Sequence, residues 1–182
     1  MLLGLTIKDL FQFLKHWRVF FLYCCLIYVS LPIGPEIWKA MEHSFGGAGK
    51  DLPAMLLGLS FTAVIIRFLS LRKKYVVQGF FIIIVAFFLF YRIADNIEFS
   101  SEKMHLIEYA ILAIVIYSRI DKDQSVTTLH FKILIIGFIV GSIDEYLQRF
   151  IPGRVCDIRD VLLNSASVSL AQMVIYSLEH LC

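Results

Sequence analysis

Charge is scarce in this chain: only 18% of its 182 residues are Asp, Glu, Lys or Arg, where an average soluble domain carries roughly 25%. Neither sign dominates, since 17 basic residues stand against 15 acidic ones for a formal net charge of +2. With no domain-wide basic excess to neutralise phosphates, bulk charge excludes a nucleic-acid partner. Cysteine is sparse as well, and of the four residues Cys24 and Cys25 are neighbours in an apolar run, where a bridge is geometrically poor. Cys156 and Cys182 fall on opposite sides of the topology argued below, so no disulfide framework is expected, and zinc-ligand spacing is missing. Internal repeats, low-complexity stretches and long linkers are absent, and Gly46-Gly47-Ala48-Gly49 reads as a flexible loop tip.

What is present instead is apolar sequence: 59% of the residues are hydrophobic. Crossing about 30 Å of hydrocarbon takes about 20 mostly apolar residues in helical form. Six segments qualify: Trp17–Ile33, Pro53–Leu71, Val76–Ala94, Met104–Ser118, Leu129–Leu147 and Asp160–Leu178. The runs are continuous rather than alternating, which excludes a membrane β-barrel. The expected fold is an all-α, polytopic membrane helix bundle of about six spans. Asn164, Ser165, Ser167, Ser169 and Gln172 dilute the sixth span, which therefore needs helix neighbours for its polar face. The first run is too long for a signal peptide and lacks a small-x-small cleavage site. Ahead of it, Leu3, Ile7, Leu10, Phe11 and Leu14 share one helical face and Lys8, Asp9, Gln12 and Lys15 the other, as in a short helix lying on the membrane surface.

Basic residues set the orientation. With six spans, ten of the 17 share the side of the N-terminus: Lys8, Lys15, Arg18, Arg67, Arg72, Lys73, Lys74, Arg119, Lys122 and Lys132. Both termini are thus expected in the cytoplasm, in the inner membrane. Three of the remaining seven, Arg149, Arg154 and Arg159, crowd into one outside loop.

Ionisable residues in membrane helices are costly unless paired or hydrated, so their placement is informative. Here they collect on the extracytoplasmic side, at Arg92 and Asp95, in Glu102–Glu108 and in Gly141–Ser165. His105 stands three residues from Glu108 and four from Tyr109; Asp144 and Gln148, and Asp160 and Asn164, are each four apart. Such spacings put each set on one helical face. Gly137-Phe-Ile-Val-Gly141 has the small-xxx-small spacing that permits close helix packing.

His105-x-x-x-Tyr109, Glu145-x-x-Gln148, Pro152-Gly153-Arg154 and Asp160-x-x-x-Asn164 together resemble the VanZ-like membrane protein family, named for an accessory protein of teicoplanin resistance. The resemblance covers roughly Val76 to Leu178 and marks a remote member. It divides the chain into residues 1–75, an amphipathic segment with two spans, and 76–182, a VanZ-like four-helix core. Two departures stand out: Glu102 occupies the place of a Lys usual three residues before the His, and Ser167 that of a Gly three after the Asn. The resemblance implies a multi-pass envelope protein.

The candidate acid/base pair is His105 with Glu145, the alternative for His105 being a structural hydrogen bond to Glu145 or Asp144. Adjacent helix positions point about 100° apart, so one of the two carboxylates is expected inside; Glu145 fits, and Asp144 is expected to pair with Arg92 or meet water. Arg154 suits an anionic group through its planar fork of donors, or else touches lipid headgroups. Asp160 is a partner for Arg154 or a helix N-cap. Gln148, Asn164 and Tyr109 complete the candidate binding set, with helix cross-links and the interfacial aromatic belt as their plainer roles. Glu108 reads as a solvated flank, the alternative being a second carboxylate of the site. No HExxH or paired-His spacing supports a metal, and no cofactor is expected. The expected partners are membrane lipids and a lipid-linked envelope substrate. The rivals are a structural or assembly subunit, and a small transporter, which is disfavoured because the charges sit at one face rather than at the midplane.

Overall fold

The computed structural model describes residues 7–71, 76–97, 100–152, 154 and 156–179, and among these every regular element is a helix. The helices are α1 (Ile7–Phe45), α2 (Gly47–Ser70), α3 (Val76–Asp95), α4 (Ser100–Arg119), α5 (Val126–Gln148) and α6 (Ile158–Glu179). Each of the six apolar segments lies in one of them, save that Leu71 falls just past the end of α2. Five are long and apolar enough to cross a membrane; the exception is α4. Glu102, Lys103 and Glu108 set α4 apart, yet it is packed against all five other helices. Leu106, Tyr109, Leu112, Ala113 and Ile116 along it are buried. A polar helix is tolerated at membrane depth when neighbours keep lipid away from it.

The same logic explains α6. Of its most apolar stretch 56% is buried, against 11–28% for the other four spans. Asn164, Ser167, Gln172 and Ser177 all lie inside. Ser167 donates to the Leu106 carbonyl of α4, and Gln172 Oε1 lies 2.9 Å from His130 Nδ1 of α5. The polar-diluted sixth segment is thus a central helix, its polar groups spent on neighbouring helices as expected.

Gly137 and Gly141 bring α5 onto α6. A Cβ at Gly137 would meet Val168 Cγ2 at 2.8 Å, and one at Gly141 would meet Asn164 Cβ at 3.2 Å and Tyr109 Cε1 at 3.4 Å. Ser125 caps α5, its hydroxyl accepting from Thr128 N at 3.2 Å. The cap of α6 is Asp157, whose carboxylate accepts from Arg159 N at 2.9 Å. Asp160, the expected cap, instead sits in the first turn.

The N-terminal part departs most from expectation. The amphipathic stretch from Ile7 onward is not a separate surface helix but the beginning of α1, a single helix of 39 residues. Neither glycine nor proline occurs between Ile7 and Leu31 to interrupt it. Residues 1–6, including Leu3, lie outside the described residues, as do Arg72–Lys74 and Cys182. At about 58 Å, α1 is nearly twice the hydrocarbon thickness. It lies along α4, with His16 Nε2 2.7 Å from the Arg119 carbonyl and Tyr23 donating to the Glu108 carbonyl at 3.0 Å. The glycine-rich tip is mostly helix as well: α2 begins at Gly47, and Gly46 alone makes the turn, at φ +56°. A left-handed backbone of that kind favours glycine.

Candidate functional site

The polar residues expected near one end of the bundle divide into two groups. In the first, α4 faces α5. Asp144 is fully buried, and its Oδ2 accepts a 2.9 Å hydrogen bond from the Tyr109 hydroxyl. His105 Nδ1 lies 3.8 Å from the same oxygen and 3.3 Å from Glu108 Oε2. Neither approach has hydrogen-bond geometry, and His105 Nδ1 and Asp144 Oδ1 are buried without a hydrogen-bond partner. Two other buried atoms share that condition at this end, Arg154 Nε and Asn164 Nδ2. Asn164 reaches the group from α6, and both it and Tyr109 pack on the space that Gly141 leaves open.

His105, Glu108 and Arg154 line a cavity of about 40 Å³ whose opposite wall is α1, through Ser30, Leu31, Gly34 and Trp38. That volume holds about one water at its liquid share of about 30 Å³. A protonatable imidazole, a carboxylate and a guanidinium thus line a small space, with the Asp144 carboxylate behind His105 and hydrogen-bonding capacity unspent. Chemically, the arrangement can bind a polar group carrying both donors and acceptors, or pass a proton between the imidazole and a carboxylate.

In the second group, Glu145 joins the end of α5 to the start of α6. Its Oε1 accepts from Gln148 Nε2 at 2.8 Å and its Oε2 from the Asp157 backbone N–H at 3.3 Å. Both Glu145 and Gln148 are 2% exposed. Of the two adjacent carboxylates on α5, the one within 4 Å of His105 is therefore Asp144 and not Glu145, which corrects the expected pairing. Asp144 likewise meets neither water nor Arg92, which is exposed. The reason is the width of the buried arc of α5. Positions about 100° apart face different neighbours, Asp144 toward α4 and Glu145 toward the α6 entrance, so both are inside. Glu108 is no solvated flank either, its side chain being 26% exposed and turned to His105. Asp160 is half-buried, and among the described residues no ion pair joins it to Arg154. Nor, among the described residues, are three His, Cys, Asp or Glu side chains arranged to hold a metal ion.

Sequence reasoning missed the α1 wall. Ser30, Gly34 and Trp38 recur every four residues, as one helical face does, but none is ionisable and the first span lay outside the stretch that carried the resemblance. A family model described as VanZ/LLP1 matches residues 7–179, nearly the whole chain. The chain belongs to the VanZ/LLP1 family. The match takes in α1 and α2, so membership in VanZ/LLP1 extends well before Val76 and includes the helix that closes the cavity. With its long apolar helices, this VanZ/LLP1 chain is a multi-pass membrane protein. Neither curated proteins nor solved structures yield a match.

Proposed function

We propose that the Asp144–His105–Arg154 site binds or modifies a polar group of a cell-envelope component, a lipid-linked precursor or a lipid headgroup. The site would work at the extracytoplasmic face of the cytoplasmic membrane, with both termini inside. The observation that carries this reading is a cavity lined by His105, Glu108 and Arg154, where His105 Nδ1 and Arg154 Nε are buried without hydrogen-bond partners. An unpaired buried polar atom costs about 1–3 kcal/mol, so a fold that keeps two on one cavity needs a compensating role for them. In this reading Arg154 holds an anionic oxygen. His105, with Asp144 and Glu108 beside it, donates or accepts a proton or hydrogen bond. Membership in a family named for teicoplanin resistance supports a link between this binding and tolerance of that glycopeptide.

The structural rival has its own support in Tyr109–Asp144 and Glu145–Asp157, which tie helices together without a ligand. Arg154→Lys and His105→Asn separate the two, measured by thermal melting in detergent beside teicoplanin susceptibility of cells carrying each variant. The binding reading expects parent-like melting with protection lost. Full protection in both variants overturns it, and early melting in both favours the structural role.

A further inference from the structure

The opposite face of α4 carries a second feature that the charged site does not use. Two adjoining cavities, of about 210 and 340 Å³, share Leu57, Phe90 and Ile107. The larger is walled by apolar side chains of α2, α3, α4 and α6, among them Phe87, Ile114 and Val174. The smaller opens beside Asp51, Asp95 and Lys103. From Lys103 to Tyr117, which lines the far end, α4 rises about 21 Å. That exceeds the depth of one leaflet, about half of a 30 Å hydrocarbon core. Lys103 and His105 are two residues apart, about 200° around the helix, so α4 itself separates this slot from the charged site.

We propose that the slot takes one hydrocarbon chain of a membrane phospholipid whose headgroup carries an amine. Ile111 and Ile114 line it yet remain 42% and 54% exposed, so the protein leaves the slot open along its side. Apolar walls facing a void forfeit dispersion contacts, and inside a bilayer the matter available to fill a void of that chemistry is a lipid chain. The mouth selects the headgroup. Two carboxylates and one ammonium offer partners to both an amine and a phosphate, whereas a purely anionic headgroup meets two charges of its own sign. The inference does not depend on the function proposed for the charged site.

The test uses the full chain in nanodiscs of equal phosphatidylethanolamine and phosphatidylglycerol, extracted into mild detergent, with bound lipid counted by native mass spectrometry. The parent is expected to keep one phosphatidylethanolamine per chain, and Ala110→Phe, which fills the slot, to lose it while melting like the parent. Asp51→Asn with Asp95→Asn changes two exposed side chains and should bring the two lipids to parity. Asp144→Asn, in the other site, should leave the count unchanged. A parent without lipid or without preference overturns the proposal, as does a folded Ala110→Phe protein that still holds lipid. If Ala110→Phe fails to fold, the two Asn changes decide, and an unchanged preference overturns the headgroup assignment. A lipid-free dimer that Ala110→Phe breaks would put a second copy in the slot, and loss of lipid in Asp144→Asn would merge the two sites; either result overturns the proposal.

Discussion

The Tyr109 hydroxyl donates to Asp144 Oδ2 across 2.9 Å, joining α4 to α5 at a carboxylate with no exposure to solvent. Asp144 Oδ1 has no partner, so this is the carboxylate's one full hydrogen bond within the protein. Tyr109→Phe should therefore destabilise by about 1–3 kcal/mol, the cost of stranding a buried acceptor. Replacing both partners by apolar groups removes the stranded atom, so Tyr109→Phe with Asp144→Leu should melt closer to the parent than Tyr109→Phe alone. Equal or additive losses in the double variant would show that Asp144 is solvated by another route. Loss of function in the double variant despite recovered stability is the expected mark of the proposed site.

The Glu145 contacts make a separate prediction about the α5–α6 connection. Glu145→Ala removes both the Gln148 and the Asp157 contacts and should loosen the start of α6. Trypsin should then cut the purified protein faster at Arg149, which is exposed in that connection. A loss of about 1.4 kcal/mol of local stability corresponds to roughly tenfold faster cleavage when opening limits it. An unaltered rate would mean that other contacts hold the loop.

Gly137→Ala places a methyl 2.8 Å from Val168 Cγ2. Valine is stiff at χ1 and cannot swing aside, so the substitution should cost about 1–3 kcal/mol through overpacking. Val168→Ala made in the same chain should recover part of that loss, although alone it destabilises by opening a cavity. Thermal melting of the two single variants and the double variant checks this, and simple additivity would rule out the contact.

Topology is tested with an impermeant maleimide on intact cells. Cys156 is exposed beside Arg154, in the connection expected outside. It should label, while Cys introduced by Asp123→Cys in the α4–α5 connection should not. Labelling of the Asp123→Cys site alone would turn the charged site toward the cytoplasm.

The helices were legible because continuous apolar runs leave little choice in a bilayer, and α6 could be read as an inner helix from its Ser, Asn and Gln content. The length of α1 was not. Gly34, Pro35, Glu36 and Lys39 look like a turn after a span, but a helix already propagating on a long apolar stem continues through them. Within the site, spacing put His105 and Tyr109 on one face of α4 and Asp144 beside Gln148 on α5. Periodicity gives an angle, however, and not which neighbour stands at that angle. That is why Asp144 took the place beside His105 expected of Glu145, while Glu145 is buried as well and faces the start of α6. The wall formed by Ser30, Gly34 and Trp38 carries no ionisable group, so nothing in its composition distinguished it from ordinary packing.

Pro32 and Pro35 lie inside α1. Neither has an N–H to give, so the carbonyls of Tyr28 and Leu31 go without their usual donors four residues on. Those two missing struts bracket Ser30, Leu31 and Gly34, the part of α1 that faces His105, Glu108 and Arg154. The longest rod in the molecule is thus least braced where it forms the cavity wall, while the α4–α5–α6 side is locked by Gly137 against Val168 and by Ser167 against Leu106. Room for anything larger than a water is gained most cheaply by bending α1 at its prolines, with His105 and Glu108 held still on α4 and Arg154 in the α5–α6 connection.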